Sequence, residues 1–300
     1  MNIRDLLHRP PVARIFKILN RSVFFLMCTS AIQAQTLFGG FMVGGANYQG
    51  ELQDKYFTLK GISSAVGVSA LYAMNDRFSF SGEFLRGTLT GSDWGQDAKN
   101  RARNLHFVTR VYELSAAVRI NLFNHPDVPF IPYVLGGGSV FHIDPFTPDA
   151  AGGKVYLFPL STEGQGLNEY PDRPLNKRVN VALFGGGGIE FRVTKKLRVD
   201  FEVAFRKSFT DYIDDVSTTY PNPNLLYAAH GPKAVQYSFR GDEVSSGDPV
   251  FPAGAQRGNP GTDDWFHVVS IRFRYPIFDR TMEMDFPRYL FRKRGWPYHN

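Results

Sequence analysis

Three hundred residues, 43% hydrophobic and 15% aromatic, are enough for one large domain or two small ones, and the formal charge is +6. Residues 1–34 carry five basic groups and one acid and residues 279–300 carry five and three, so the whole excess lies at the ends and the body is neutral. That leaves no case for nucleic-acid binding, and a single cysteine, Cys28, excludes a disulfide framework and a thiolate metal site.

Arg4, Arg9, Arg14, Lys17 and Arg21 form a basic leader, followed by an apolar run from Val23 to Ile32. A membrane-spanning helix needs about 20 apolar residues, so residues 1–34 read as a secretory signal, with Ala34 the last residue removed. Cys28 lies inside it behind Met27, where a lipoprotein signal wants a small residue. The mature chain is expected to begin at Gln35 and to lack cysteine.

From residue 36 the pattern alternates with period two, and eight segments stand out: 36–48, 62–74, 78–90, 107–123, 130–143, 179–193, 197–209 and 265–278. Each exceeds the roughly 9 to 11 tilted residues that cross a bilayer. The connections after strands two, four and six are short, at Asn75 to Arg77, Asn124 to Pro129 and Thr194 to Lys196. Those after strands one, three, five and seven are long, about 13, 16, 35 and 55 residues. Long loops at one end and short periplasmic turns at the other are the pattern of outer-membrane barrels. An even strand count then puts both termini in the periplasm.

Within the strands the two faces differ in kind. Leu197, Val199, Phe201, Val203 and Phe205 alternate with Arg198, Asp200, Glu202 and Arg206, and Val269, Ile271, Phe273 and Tyr275 with Ser270, Arg272 and Arg274. Phe78, Phe80 and Phe84 oppose Ser79, Ser81 and Glu83, while Leu114, Val118, Ile120 and Leu122 oppose Glu113, Ser115, Arg119 and Asn121. A soluble sandwich alternates too, with the charges toward water. Strand length, loop asymmetry and a final strand ending at Ile277 and Phe278 favour an eight-stranded antiparallel transmembrane barrel over residues 35–278. An aromatic at that position resembles the signal read by outer-membrane assembly machinery.

Such a barrel is just wide enough for side chains to fill it. Glu83, Glu113, Glu190, Asp200 and Glu202 are expected to pair inside with Arg119, Arg192, Arg198, Arg272 and Arg274, which argues against a small passive pore. The glycine runs at Gly39, Gly40, Gly44 and Gly45, Gly136 to Gly138 and Gly185 to Gly188 lie inside strands. They open no helix and carry no lysine, so they read as close packing and not as phosphate cradles.

The loops hold the least generic sequence. Loop two ends Arg101, Ala102, Arg103, Asn104, Leu105; loop three contains Thr162, Glu163, Gly164, Gln165, Gly166; loop four opens with Asp211, Tyr212, Ile213, Asp214, Asp215 and runs on to Tyr220. With Glu113 to Phe123 and the Pro132, Tyr133 start of strand five, these motifs resemble the PorG family, the outer-membrane barrel of the Bacteroidetes type IX secretion system. The resemblance covers residues 36 to 278. It implies an accessory role in protein secretion and gliding motility, association with the ring of the PorK lipoprotein and PorN, and no catalytic residues, cofactor or small-molecule substrate. The chain departs from that pattern in a very long fourth loop, rich in Pro, Gly, Asn and Asp between Pro221 and Asp264, and in the tail beyond Phe278.

Two chemical alternatives are open to these residues. Asp211, Asp214 and Asp215 beside Glu163 offer oxygen ligands to Ca²⁺, but their spacing is not that of an EF-hand and acidic turns are common, so no metal is assigned. A lipid-modifying enzyme would use His106, His142, Ser161 and Asp144 near the rim, but nothing in their spacing aligns a nucleophile with a base. The tail at 279–300 interleaves Arg288, Arg292, Lys293 and Arg294 with Phe291 and Trp296. That composition suits either partner docking or a segment on lipid headgroups.

Overall fold

A computed structural model describes residues 36–53, 58, 61–123, 129–194, 196–244 and 250–279. The signal, the tail residues Arg288, Phe291, Arg292, Lys293, Arg294 and Trp296, and most of the turn at 124–129 lie outside them. Eight long strands are formed: β1 (Thr36–Gln49), β2 (Ser63–Ala73), β3 (Phe78–Ser92), β4 (His106–Asn121), β5 (Phe130–His142), β6 (Val179–Arg192), β7 (Arg198–Ser208) and β8 (Trp265–Asp279). Each pairs antiparallel with its neighbour in sequence, and β8 pairs back onto β1, so the sheet closes without an edge. The last strand runs one residue past Phe278 and sets Asp279 opposite Thr36. Across this seam Phe41 and Phe273 stack at 4.9 Å.

The barrel is inside-out relative to a soluble protein. On β4, Leu114 is 66% exposed, whereas its neighbour Glu113 is fully buried and Arg119 is 3% exposed. Val68, Phe84, Val134, Leu183, Phe201 and Ile271 continue the exposed apolar surface around the outside. Only a hydrocarbon surround makes that arrangement favourable, because the backbone groups are all satisfied within a closed sheet. No helix among the described residues is long and apolar enough to cross a membrane, and crossing is by strands.

The lumen has two layers. Toward the short turns it is ionic: Arg119 meets Glu190 at 2.6 Å and Asp200 at 3.0 Å, Arg274 meets Asp200 at 2.8 Å, and Arg272 binds Glu202 at 2.7 Å and Glu83. Toward the long loops the inward face turns apolar, with Met42, Leu85, Leu89, Phe107, Val111, Phe141, Phe266 and Val268. Ile143, Leu157, Phe158, Ile213 and Val216 from the loops join them.

The expected plug of paired charges is present, and toward the long loops a hydrophobic core that the third and fourth loops complete adds to it. The expected ion-pair set also lacked a member, since Arg206 pairs with Glu113 at 2.9 Å, and Arg192 lines the mouth at the turn end. Planar-bilayer recording of the purified protein is expected to show no steady conductance, and regular single-channel steps would contradict this packing.

Close approach of strands accounts for the inward-facing glycines. A Cβ on Gly137 would stand 2.0 Å from the Ala116 carbonyl oxygen, and one on Gly186 would stand 2.2 Å from that of Val203. The outward Gly136 and Gly138 have ordinary room at 3.7 and 3.8 Å. Gly137→Val is accordingly expected to prevent closure and abolish the heat-dependent gel shift of a folded barrel, while Gly138→Val retains it.

Candidate functional site

Above the long-loop end the connections fold into a cap. The second loop forms helix α1 (Ala98–Arg103), the third a hairpin of Phe146–Pro148 with Lys154–Tyr156, and the fourth helices α2 (Pro223–His230) and α3 (Pro232–Ser238). Local rules explain these helices. Asp97 caps α1 by accepting from the Asn100 N–H, Asn222 caps α2, and both α2 and α3 begin on a proline whose missing N–H costs nothing there.

The three loop motifs meet around Glu163, which is fully buried. Its carboxylate accepts from the Ser217 N–H at 2.9 Å, the Thr218 N–H at 2.8 Å, the Thr218 hydroxyl at 2.6 Å and the Tyr212 hydroxyl at 3.2 Å. Arg257 binds it at 2.8 Å and also donates to the carbonyls of Asp215 and Ser238. Thr162 donates to the Asp215 carboxylate, and the Gln165 side chain accepts from the Glu163 N–H. From the second loop, Arg103 forks onto Asp93 and reaches the Arg257 carbonyl, while Asn104 donates to the Arg240 carbonyl at 3.2 Å.

The backbone explains the residue types. Asn104, Ser161 and Asp215 sit in the left-handed region at φ 56, 46 and 67, as do Gly164 and Gly166 at φ 76 and 81. A Cβ on Gly164 would strike the Tyr170 ring at 2.7 Å, so both the turn and the packing need glycine. Such backbone positions cost free energy and persist only where the surroundings fix them.

Asp214 does not join this network. Fully buried, it faces Tyr48 on the barrel rim and Asp264 just before β8: the Tyr48 hydroxyl lies 2.7 Å from Asp214 Oδ2 and 2.9 Å from Asp264 Oδ1. Glu51 completes a group whose ligand oxygens lie within 4.8 Å of one another. Glu51 Oε2 is buried without a hydrogen-bond partner, and the Asp211 carboxylate, also cut off from solvent, has Ser217 beside it. Burial first, then neighbouring carboxylates, pushes Asp211 up to about 8 and Glu51 up to about 7, and raises Asp214 and Asp264 well above the carboxylate range. Burial also lifts Asp215 to about 7 despite Arg257, whose closer contacts are Glu163 and the Asp215 carbonyl, with the Asp215 carboxylate 4.0 Å away.

The four expected members of the acidic set are therefore split between two places. Glu163 and Asp215 are held by Arg257, whereas Asp214 and Asp211 turn to Glu51 and Asp264. Arg257, Asp264, Glu51, Tyr48 and Asp93 are the residues that sequence reasoning missed. Of the enzyme alternative, His106 contacts Thr147, His142 packs near Tyr112 and Asp144 pairs with Arg178. No hydrogen bond among the described residues joins any two of His106, His142, Ser161 and Asp144.

An apolar exterior, a filled lumen and a folded cap over the long-loop end define an eight-stranded outer-membrane β-barrel. The chain belongs to the family described as a domain of unknown function, DUF6089, whose model matches residues 16–228 and so takes in β1 through β7 and the motifs up to Tyr220. Solved structures similar to it include Neisserial surface protein A, at 11% identity and TM-score 0.41 over 81% of this chain and 98% of that one. Others are Ail of Yersinia pestis in complex with the heparin analogue sucrose octasulfate, at 9%, 0.36, 81% and 98%, and E. coli outer membrane protein W, at 13%, 0.34, 81% and 100%. No curated protein matches the chain.

Proposed function

We propose that the protein is a non-enzymatic component of the type IX secretion system of the PorG kind, which fixes the periplasmic PorK and PorN ring to the outer membrane. The observation that carries this reading is the convergence on Glu163. Motif residues from loops three and four, with Arg103 of loop two bound to the Arg257 carbonyl, belong to one buried network, so the resemblance is to a single folded unit and not to scattered matches. Their chemistry is that of a fastener, because every charge at Glu163 is already engaged.

The geometry of the ends supports the same reading. Thr36 and Asp279 are paired, so the chain enters and leaves the barrel at the short-turn end. With short turns periplasmic, as in outer-membrane barrels, the tail at 280–300 emerges on the side where the ring stands. Purification of the tagged protein in mild detergent is expected to recover PorK and PorN. Removing residues 280–300 is expected to keep the heat-modifiable barrel and weaken that recovery. Unchanged recovery removes the tail from the account, and absence of both ring proteins from the full-length preparation contradicts it.

A further inference from the structure

The outward positions of β4 are apolar from Leu122 to Leu114, and Tyr112 and then Arg110 follow them. The ten residues from Leu122 to Tyr112 rise about 24 Å along the membrane normal, at about 3.4 Å per residue and a tilt of about 45°. That matches the apolar band of an outer-membrane barrel, about 25 Å tall, and sets Tyr112 at the level of the outer-leaflet headgroups.

The register gathers positive charge at that level. Arg86 pairs with Tyr112, Tyr112 pairs with His142, and Thr88 pairs with Arg110. Arg86 and Arg110 are therefore diagonal neighbours on one face, about 7 to 8 Å apart, and both are exposed. Lys154 adds a third cation on the same side. Its ammonium lies 4.7 Å from the centre of the Phe146 ring, and Phe146 pairs with Val108, the next outward position beyond Arg110. Among the described residues no carboxylate lies within ion-pair distance of Arg86 or Arg110, and Asp144, two positions past His142, is taken by Arg178 at 3.1 Å.

Two guanidiniums side by side at the border of the hydrocarbon repel one another, and the low dielectric beside them weakens the screening. An anion that bridges them removes that repulsion. Phosphate fits best, because its oxygens accept from both guanidinium forks at once. One step toward the short turns, Phe84, Leu114 and Val140 pair across the same three strands as an exposed apolar row. We infer that Arg86 and Arg110, with Lys154, hold the phosphate of an outer-leaflet glycolipid whose acyl chains lie on that row. Free phosphate would use the cations alone, so the apolar row directly beneath them is what selects a lipid.

The test is native mass spectrometry of the purified protein, folded in detergent, with monophosphoryl lipid A or with the same lipid stripped of its phosphate. One phosphorylated lipid per chain is expected to stay bound, and the stripped lipid to bind about tenfold or more weakly. Inorganic phosphate at the concentration of the lipid should leave it in place. Arg86→Gln combined with Arg110→Gln should lose the preference between the two lipids. Lys207→Gln, which removes an outward cation beside Trp265 on β7 and β8, should keep it. The substituted side chains are exposed, so both variants should retain the heat-dependent gel shift. Equal binding of the two lipids by the parent, an unchanged preference in the double variant, or displacement by inorganic phosphate overturns the assignment.

Discussion

Replacing Arg257 by methionine is expected to unfasten the loop cap while leaving the barrel closed. Arg257 is 3% exposed and is the guanidinium shared by Glu163 and Asp215. Removing one partner of a buried ion pair costs about 3 to 5 kcal/mol, because the remaining charge has neither water nor a counterion. Here one carboxylate is left with only neutral donors among the described residues, and its neighbour Asp215 loses the arginine beside it. The strands do not depend on that residue, so the loss falls on a local opening of residues 209–264. The opening equilibrium should rise about a hundredfold or more, read as faster cleavage of that loop by chymotrypsin with an unchanged heat-dependent gel shift. Arg257→Lys should restore only part of the protection, since an ammonium cannot serve Glu163 and the two carbonyls in one plane. Wild-type protection in Arg257→Met would contradict the role given to this residue.

The second large effect lies in the lumen. Arg206 and Glu113 form a pair whose side chains are 2% and 0% exposed, at the boundary between the ionic and apolar layers. Arg206→Met should destabilise the barrel by about 3 to 5 kcal/mol by stranding Glu113. The double variant Arg206→Met with Glu113→Met should return to within about 1 kcal/mol of the parent, because two apolar side chains extend the Phe184 and Phe266 packing already around Arg206. Urea unfolding in lipid, followed by tryptophan fluorescence, measures both. If the double variant is as unstable as the single one, the pair is required for more than mutual neutralisation.

The barrel was legible because its signal is local. Alternation fixes a strand within a few residues, and each observed strand agrees with its expected span to within two residues at either end, as at 36–48 against Thr36–Gln49. Short turns such as Asn75 to Arg77 then fix neighbours without any long-range information. The cap was not legible because its partners are distant in sequence: Glu163 meets Arg257 across 94 positions, and Tyr48 meets Asp264 across 216. Nothing in the local pattern marks Arg257 among the prolines and glycines of the fourth loop.

Some of the missed structure did have a local signal. Asn222 with Pro223 and Gly231 with Pro232 are helix-opening pairs inside a fourth loop otherwise marked only by its wealth of Pro, Gly, Asn and Asp. The apolar upper lumen was missed for a different reason. Phe266 and Val268 lie on the same face as Arg272 and Arg274, so one face of one strand changes character along its length, and that change makes sense only once loop residues such as Ile213 are known to fill the mouth.

The claim that the chain crosses the outer membrane as a barrel, with the cap outside and the short turns inside, is tested most directly by labelling introduced cysteines. With Cys28, the one cysteine, replaced by serine, Ala228→Cys on exposed α2 and Arg77→Cys in the first short turn give single targets. A maleimide polymer too large to pass the outer membrane is expected to label Ala228→Cys on intact cells and Arg77→Cys only after permeabilisation. Labelling of Arg77→Cys on intact cells, or of neither site before permeabilisation, would contradict the account.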